Sequence, residues 1–357
     1  MLEFTHDTLP QRVLFGAGSA ARNLRAEVER LGGDRLMLIA AEADWALADV
    51  VAREIAPALV WSDVAQHVPI ETAAIARSAA AEADVDLVVS VGGGSTTGLA
   101  KAIALECGVR IVAVPTTYAG SEATNVWGLT EAARKTTGVD DRVLPVSVIY
   151  DAELTTSLPV ELSVASGLNG IAHCVDSLWA PRADPINAAL AGEGIRALAA
   201  GLRVVVADPA GIPGREKTQY GAYLAAVAFA SAGSGLHHKI CHVLGGTYNL
   251  PHAQTHAVML PYVAAFNLDS APDASRRLGA SFDSGDGLAG LAELYADLNA
   301  PRSLRDLDFD EARIPEAVEI ALPAIPTSNP RQVDAAALTA LLTAAWKGAP
   351  LDEVRSV

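Results

Sequence analysis

As far as Asp151, short and continuously apolar runs alternate with segments of helical period, and this alternation constrains the fold more than any other feature. The runs are Arg12–Phe15 (RVLF), Arg35–Ala40 (RLMLIA), Ala58–Trp61 (ALVW), Leu87–Val91 (LVVSV), Arg110–Val114 (RIVAV) and Val148–Asp151 (VIYD). Helical periods lie between them at Ala20–Arg30, Leu47–Ile55, Glu71–Ala83 and from the glycine turn after Val91 to Leu105. A strand that is apolar on both faces must be buried on both, so the pattern predicts a parallel sheet covered by helices on each side. The chain turns polar and extended over Lys135–Ser147. From Pro159 onward only helical periods remain, broken by predicted loops at Asp208–Arg215, Asp283–Gly287 and Pro326–Arg331. The expectation is an α/β Rossmann-like domain over 1–153 and an all-helical domain over 154–357, with the boundary near Asp151–Leu158. A chain of 357 residues suits two domains of ordinary size.

Composition removes several function classes. The formal charge is −16 and the lysines and arginines are scattered, which argues against nucleic-acid binding by counterion release. Apolar runs are interrupted well short of the ~18–20 residues that span a bilayer. The start, MLEFTHDTLPQRVLFG, has neither the basic nor the apolar region of a signal peptide. Three cysteines (Cys107, Cys174 and Cys241) in apolar surroundings predict reduced, buried packing residues of a cytoplasmic protein. An internal core of Ala, Val, Leu and Ile is required, because aromatic residues make up only 5%.

Two stretches carry chemistry. The first is Gly92-Gly93-Gly94-Ser95, between a strand and a helix. Glycines let the backbone approach a phosphate, and a helix start offers free N–H groups and the positive end of its dipole. The pattern departs from GxGxxG, because Thr97 stands at the last position; the other reading is a tight structural turn. Gly16-Ala17-Gly18, nearer the N-terminus, also lacks the third glycine. Pro115–Ser121 follows the next strand, so Thr116, Thr117 and Ser121 come from a loop at the carboxyl end of a neighbouring strand, where dinucleotides bind. After Arg35–Ala40, Glu42 and Asp44 are candidates either to bond a ribose or to start a helix.

The second stretch, Ser234–Pro261, holds His237, His238, His242, His252 and His256. His238 and His242 are four apart, as are His252 and His256 and, upstream, Asn169 and His173, so each pair shares a helix face. Three imidazoles with a carboxylate would hold Zn²⁺ or Fe²⁺. Here the fourth member is Asn169, a neutral amide.

GGGSTTGLAKAIAL, PTTYAGSEAT, GLNGIAH and HHKICHVLGG followed by LPHAQTHAVMLP make the chain resemble the iron-containing (group III) alcohol dehydrogenase family over essentially its full length. The resemblance is greatest to the maleylacetate reductase branch. It implies an N-terminal nucleotide-binding domain, a C-terminal helical domain of the dehydroquinate synthase-like fold, and an active site in the cleft between them. By resemblance the family's Asp and three His metal ligands fall on Asn169, His173, His238 and His252, and His242 matches a further histidine near the nicotinamide. Gly92, Gly93, Gly94 and Ser95 match the pyrophosphate loop, Thr116, Thr117 and Ser121 a second cofactor loop, and Lys135 a lysine of the cofactor cleft. Members of the branch are understood to work without the metal.

The implied reaction is NADH- or NADPH-dependent reduction of the conjugated alkene of maleylacetate to 3-oxoadipate, in aromatic-compound degradation. Charge would develop on an enolate oxygen, a demand that hydrogen-bond donors and imidazolium meet without a metal. His173, His238, His242 and His252 are the expected donor set, with His242 or His252 as proton donor. Lys239 and Arg182 are further candidate partners for a dicarboxylate, and His237 and His256 stand behind the others. The rival is a metal-dependent (Fe or Zn) alcohol or polyol dehydrogenase; a binding protein without turnover is the other. A homodimer is the base-rate expectation.

Overall fold

The computed structural model describes residues 3–131 and 134–355, with the side chains of Arg134 and Lys135 outside that description. Eight strands and nine of the helices matter to the site. They run β1 (Arg12–Phe15), α1 (Ala20–Leu31), β2 (Leu36–Ile39), α2 (Trp45–Ala52), β3 (Leu59–Trp61), α3 (Ile70–Glu82), β4 (Leu87–Gly92), α4 (Gly94–Cys107) and β5 (Arg110–Pro115). Then come β6 (Val126–Glu131), β7 (Arg134–Val139), β8 (Ser147–Tyr150), α5 (Val160–Ser177), α6 (Pro185–Ala207), α7 (Ile212–Ala232), α8 (Leu236–Tyr248) and α9 (His252–Asn267). Shorter helices fill residues 272–355.

Six strands form one parallel sheet in the order β1-β8-β5-β4-β2-β3. The apolar runs are continuous because alternate residues serve opposite faces. Leu36 and Leu38 of β2 and Leu87, Val89 and Val91 of β4 pack with α1 and α2. Met37, Ile39, Val88 and Ile111 face the other way, onto α3 and α4. The chain moves outward from β2 to β3 and then returns to the far side of β2 as β4. That reversal opens a crevice beyond the carboxyl ends of β2 and β4, the topological position where parallel sheets bind ligands.

The Gly16–Gly18 turn serves the fold. Asp151, just after β8, accepts Gly18 N–H at 2.8 Å and Ala20 N–H at 2.9 Å, so its carboxylate fastens the start of α1 to the last strand. Gly18 has φ +66°, a conformation open to glycine at little cost.

Two expectations need correction and a third gains detail. The stretch expected to be polar and extended is extended as β7, which pairs antiparallel with β6 as a separate two-stranded ribbon. Its residues alternate too weakly in polarity to mark a strand. The loop expected over Asp208–Arg215 ends sooner, because α7 starts at Ile212. Pro213 stands in the first turn, where its missing N–H breaks no helical bond. Cys107 is exposed rather than buried, since it ends α4 just before the left-handed Gly108; Cys174 and Cys241 are buried.

The second half is helical, as its periods predict. α5 lies at the centre of this half, with its residues from Ser163 to Ser177 all buried. It packs against α6, α7 and α9, and Leu168, Ile171 and Val175 join one large core with Leu198, Leu236 and Val258.

Candidate active site

β4 ends at Gly92, whose φ is +151°, and a Cβ there would meet Thr96 Oγ1 at 2.4 Å, so the turn demands glycine. Gly93 precedes the first turn of α4, leaving that helix's early N–H groups open to an acceptor. Gly93, Gly94, Ser95, Thr116 and Thr117 line a cavity of about 470 Å³. Asp44 lines it as well, whereas Glu42 is exposed outside it. Thr116 Oγ1 donates to Asp44 Oδ1 at 3.4 Å, and burial holds that carboxyl above its ordinary range. The arrangement fits a dinucleotide: helix-start N–H groups for pyrophosphate, a carboxylate for ribose hydroxyls.

The histidines come from three helices. His173 is on α5, His237, His238 and His242 on α8, and His252 and His256 on α9. α8 stops at Asn249, in the left-handed region at φ +54°, and Pro251 then sets the chain so that His252 opens α9. His173 stacks on His238 with ring centres 4.8 Å apart, and Phe229 packs on both at 4.7 and 4.3 Å. His256 is 4.8 Å from His238 and 4.4 Å from His252, and its Nδ1 is hydrogen-bonded to His237 Nε2 at 2.9 Å.

His173, His238, His242 and His252 line a second cavity, of about 300 Å³, together with Ser121 and Lys101. The two cavities share Gly94, Ser95 and Thr117, so a ligand's phosphate end and its reacting end could lie in one continuous cleft. Asn169 is buried one turn before His173 and lines neither cavity; its Oδ1, like His173 Nδ1 and His238 Nε2, has no hydrogen-bond partner. Lys135 stands opposite Thr130 in the ribbon, and its side chain lies outside the described residues. Arg182 is spent on the carbonyls of Ser231 (2.8 Å) and Ala230 (3.2 Å), away from the cleft lining. Lys239 is also absent from that lining.

Two residues of the site escaped the sequence reading. Asp176, fully buried, accepts His238 Nδ1–H at 2.7 Å. It falls three residues after His173 in HCVD, so helical spacing alone would have put it on the same face. Lys101, seven residues past Gly94, is 1% exposed; its Nζ donates to Thr124 O (2.8 Å), Thr124 Oγ1 (3.0 Å) and Val126 O (2.7 Å), anchoring the base of β6. Burial lowers it to about 7, against the pull of Glu122.

The imidazoles were expected to offer positive charge. Burial instead lowers His173 to about 4 and, with repulsion from His173 and His242, His237 to about 3. His238 and His256 are pushed well down by the same causes. Burial therefore disfavours the charged form of His173, His237, His238 and His256 near neutrality, and positive charge on them must await an anion. A consequence follows for stability. Between about pH 6.5 and about 4, the unfolded chain binds protons at these histidines and the folded chain does not, so stability falls as pH falls. Each pH unit in that window costs about 1.4 kcal/mol at each of His173 and His237. Asp176, raised to about 6 by burial, works the opposite way between there and its ordinary value, as do the raised carboxyls of Asp44 and Glu122, against four lowered histidines. Urea midpoints at pH 7, 6 and 5 should fall steeply; a flat series would mean that the histidines are not held neutral.

The family model for iron-containing alcohol dehydrogenase matches residues 10–152, and the C-terminal model of the Fe-containing alcohol dehydrogenase family matches residues 163–346. The chain belongs to the iron-containing alcohol dehydrogenase family. Maleylacetate reductase 2 of Cupriavidus pinatubonensis is 47% identical over 352 residues, covering 97% of each chain. A crystal structure of an iron-containing alcohol dehydrogenase from Corynebacterium glutamicum is 60% identical, with TM-score 0.96 over 98% of this chain and 99% of that one. The crystal structure of maleylacetate reductase from Agrobacterium tumefaciens is 42% identical, with TM-score 0.91 over the same shares. The family is one of NAD(P)-dependent oxidoreductases.

The family's name implies iron, and the donor set fits it poorly. Asn169, His173, His238 and His252 supply one amide oxygen and imidazoles but no anion, and Asp176 is committed to the far side of His238. His237, Cys241 and His256 bring ligand atoms within 4.8 Å of one another. There the two imidazoles bond to each other, and burial pushes the Cys241 thiol well up, away from the thiolate that a metal needs.

Proposed function

We propose that this chain is a maleylacetate reductase that uses NADH and no metal. Curated maleylacetate reductases are 41–47% identical over nearly the whole chain. The observation that carries the reading is Asn169, a buried neutral amide one turn before His173, at the position where the resemblance puts the family's metal-binding carboxylate.

The bound nicotinamide supplies a hydride to the alkene carbon distal to the ketone. Negative charge moves through the conjugated system to the ketone oxygen, and a proton adds to the carbon between, giving 3-oxoadipate. On the chain's side, Gly93–Ser95 and Thr116–Thr117 hold the pyrophosphate. Asp44 accepts ribose hydroxyls and would repel a 2′-phosphate, which supports NADH over NADPH. The substrate's two carboxylates bring into the cleft the anions that the neutral histidines lack, and so favour their protonation. His173 and His238 then donate toward the enolate oxygen. His242 or His252, less buried than those two, holds the proton delivered to carbon. The same reading makes the protein a cytoplasmic homodimer of aromatic-compound degradation. Among the described residues, no helix is long and apolar enough to cross a membrane.

A metal-dependent alcohol dehydrogenase is the second reading, favoured by the bare acceptors on Asn169, His173 and His238. One assay separates the two: NADH oxidation with maleylacetate beside simple aldehydes, before and after exhaustive chelation. Maleylacetate turnover that survives chelation is expected. Activity confined to aldehydes and abolished by chelator would establish the rival.

A further inference from the structure

With Asn169 neutral, a carboxylate that does bond a cleft histidine is Asp176, which reaches His238 from behind. It is 0% exposed and saturated with donors. Oδ2 accepts from His238 Nδ1 (2.7 Å), Gly235 N (3.0 Å) and His238 N (3.2 Å), and Oδ1 accepts from Trp179 Nε1 (3.2 Å). A Cβ on Gly235 would meet Asp176 Oδ1 at 2.6 Å, so glycine there lets the carboxylate cap the start of α8.

An ionised carboxylate only accepts, so the proton shared with His238 belongs to Nδ1. The ring's other nitrogen, Nε2, is buried and has no partner, while His238 lines the cleft. Stacking on His173 and contact with Phe229 remove the ring's remaining freedom. A carboxylate behind an imidazole fixes both the tautomer and the direction of the working nitrogen.

We propose that Asp176 is a positioning residue of the reductase, holding the His238 proton on Nδ1 so that Nε2 faces the substrate and is the nitrogen that is protonated when the anionic substrate binds and then donates to the enolate oxygen. The proposal rests on the cleft being the reductase's active site. In the wild-type protein, ¹⁵N-histidine NMR should show His238 protonated at Nδ1 alone near neutrality. Asp176→Asn can turn its oxygen to His238 and lose only the Trp179 bond, yet it no longer enforces one tautomer. It should lower kcat for maleylacetate by about 10²-fold or more, with KM changed less than about threefold. NADH affinity, read by fluorescence, should be unchanged, and the His238 resonances should report mixed tautomers. A wild-type His238 carrying its proton on Nε2 would overturn the proposal without any variant. Wild-type kcat in Asp176→Asn would overturn it too. Should the wild-type protein fail to reduce maleylacetate, the functional reading falls, while the NMR measurement still decides the role of Asp176.

Discussion

Replacing His242 or His252 with alanine should lower turnover of maleylacetate by about 10²-fold or more, the ordinary worth of a positioned proton donor. NADH should still bind, because the cavity lined by Gly93–Ser95, Thr116 and Asp44 contains neither histidine. Both side chains are only partly buried and both positions are helical, so alanine keeps the helices and leaves no large hole. The measurement is kcat and KM for each variant beside a fluorescence titration with NADH. A loss in kcat with KM little changed marks an interaction made in the transition state. The variant with the larger loss, and with a changed pH profile, identifies the donor. Unchanged turnover in both would remove these histidines from the active site.

The second large effect concerns stability. Arg215 is 0% exposed and unpaired with any carboxylate among the described residues; its guanidinium is satisfied by neutral oxygens. Nε and Nη2 donate to Pro209 O (3.1 and 2.9 Å), Nη2 also to Leu158 O (3.0 Å), and Nη1 to Ser163 Oγ (2.8 Å) and Tyr118 OH (3.2 Å). One side chain thus ties the first turns of α7 to the start of α5 and to the loop after β5. Arg215→Met should cost about 4 kcal/mol, from charged hydrogen bonds lost and acceptors left buried without partners. Lysine should rescue little, since one ammonium cannot span a planar fork's acceptors. Tyr118 N–H also bonds Ser166 Oγ at 3.1 Å, so the loop after β5 is fastened to α5 directly and to α7 through Arg215, and its shift should raise KM for NADH. Urea denaturation reads the stability; a loss below about 1 kcal/mol would show that water replaces the arginine.

The parallel sheet and the helical second half were legible because burial on two faces and helical period both leave their mark in composition. β2 and β4 read as unbroken Leu, Val and Ile for that reason. The β6–β7 ribbon was not legible, because Thr136, Thr137 and Val139 are exposed and no buried face imposes a period of two. In the site, spacing marked the glycine turn and the histidine-rich helices, and the resemblance singled out His173, His238, His242 and His252, which line one cavity. Spacing within a helix says nothing of contact between helices, however. The His237–His256 bond joins α8 to α9, and the pull of Asp176 on His238 joins α5 to α8; both needed the packed bundle to be seen. The lowered basicity of His173, His237, His238 and His256 was hidden likewise, being set by burial and not by residue type.

The ribbon has one more consequence. Trp127 and Thr137 line the histidine side of the cleft, yet among the described residues β6 pairs with β7 and, through one isolated bridge at Thr130, with Pro69, and not with the six-stranded sheet. It is held from outside by Lys101 under Val126 and by Thr130, whose N–H and hydroxyl bond Val68 O and His67 O at 3.1 and 2.8 Å. Gly138 lies against the Trp127 indole, where a Cβ would come within 2.5 Å, so ring and glycine must change together. Selection therefore has a wall of the substrate chamber that it can rebuild without disturbing the register of the sheet or the phosphate cradle. Divergence in acceptor preference among close relatives should concentrate there, at the cost of little else in the molecule.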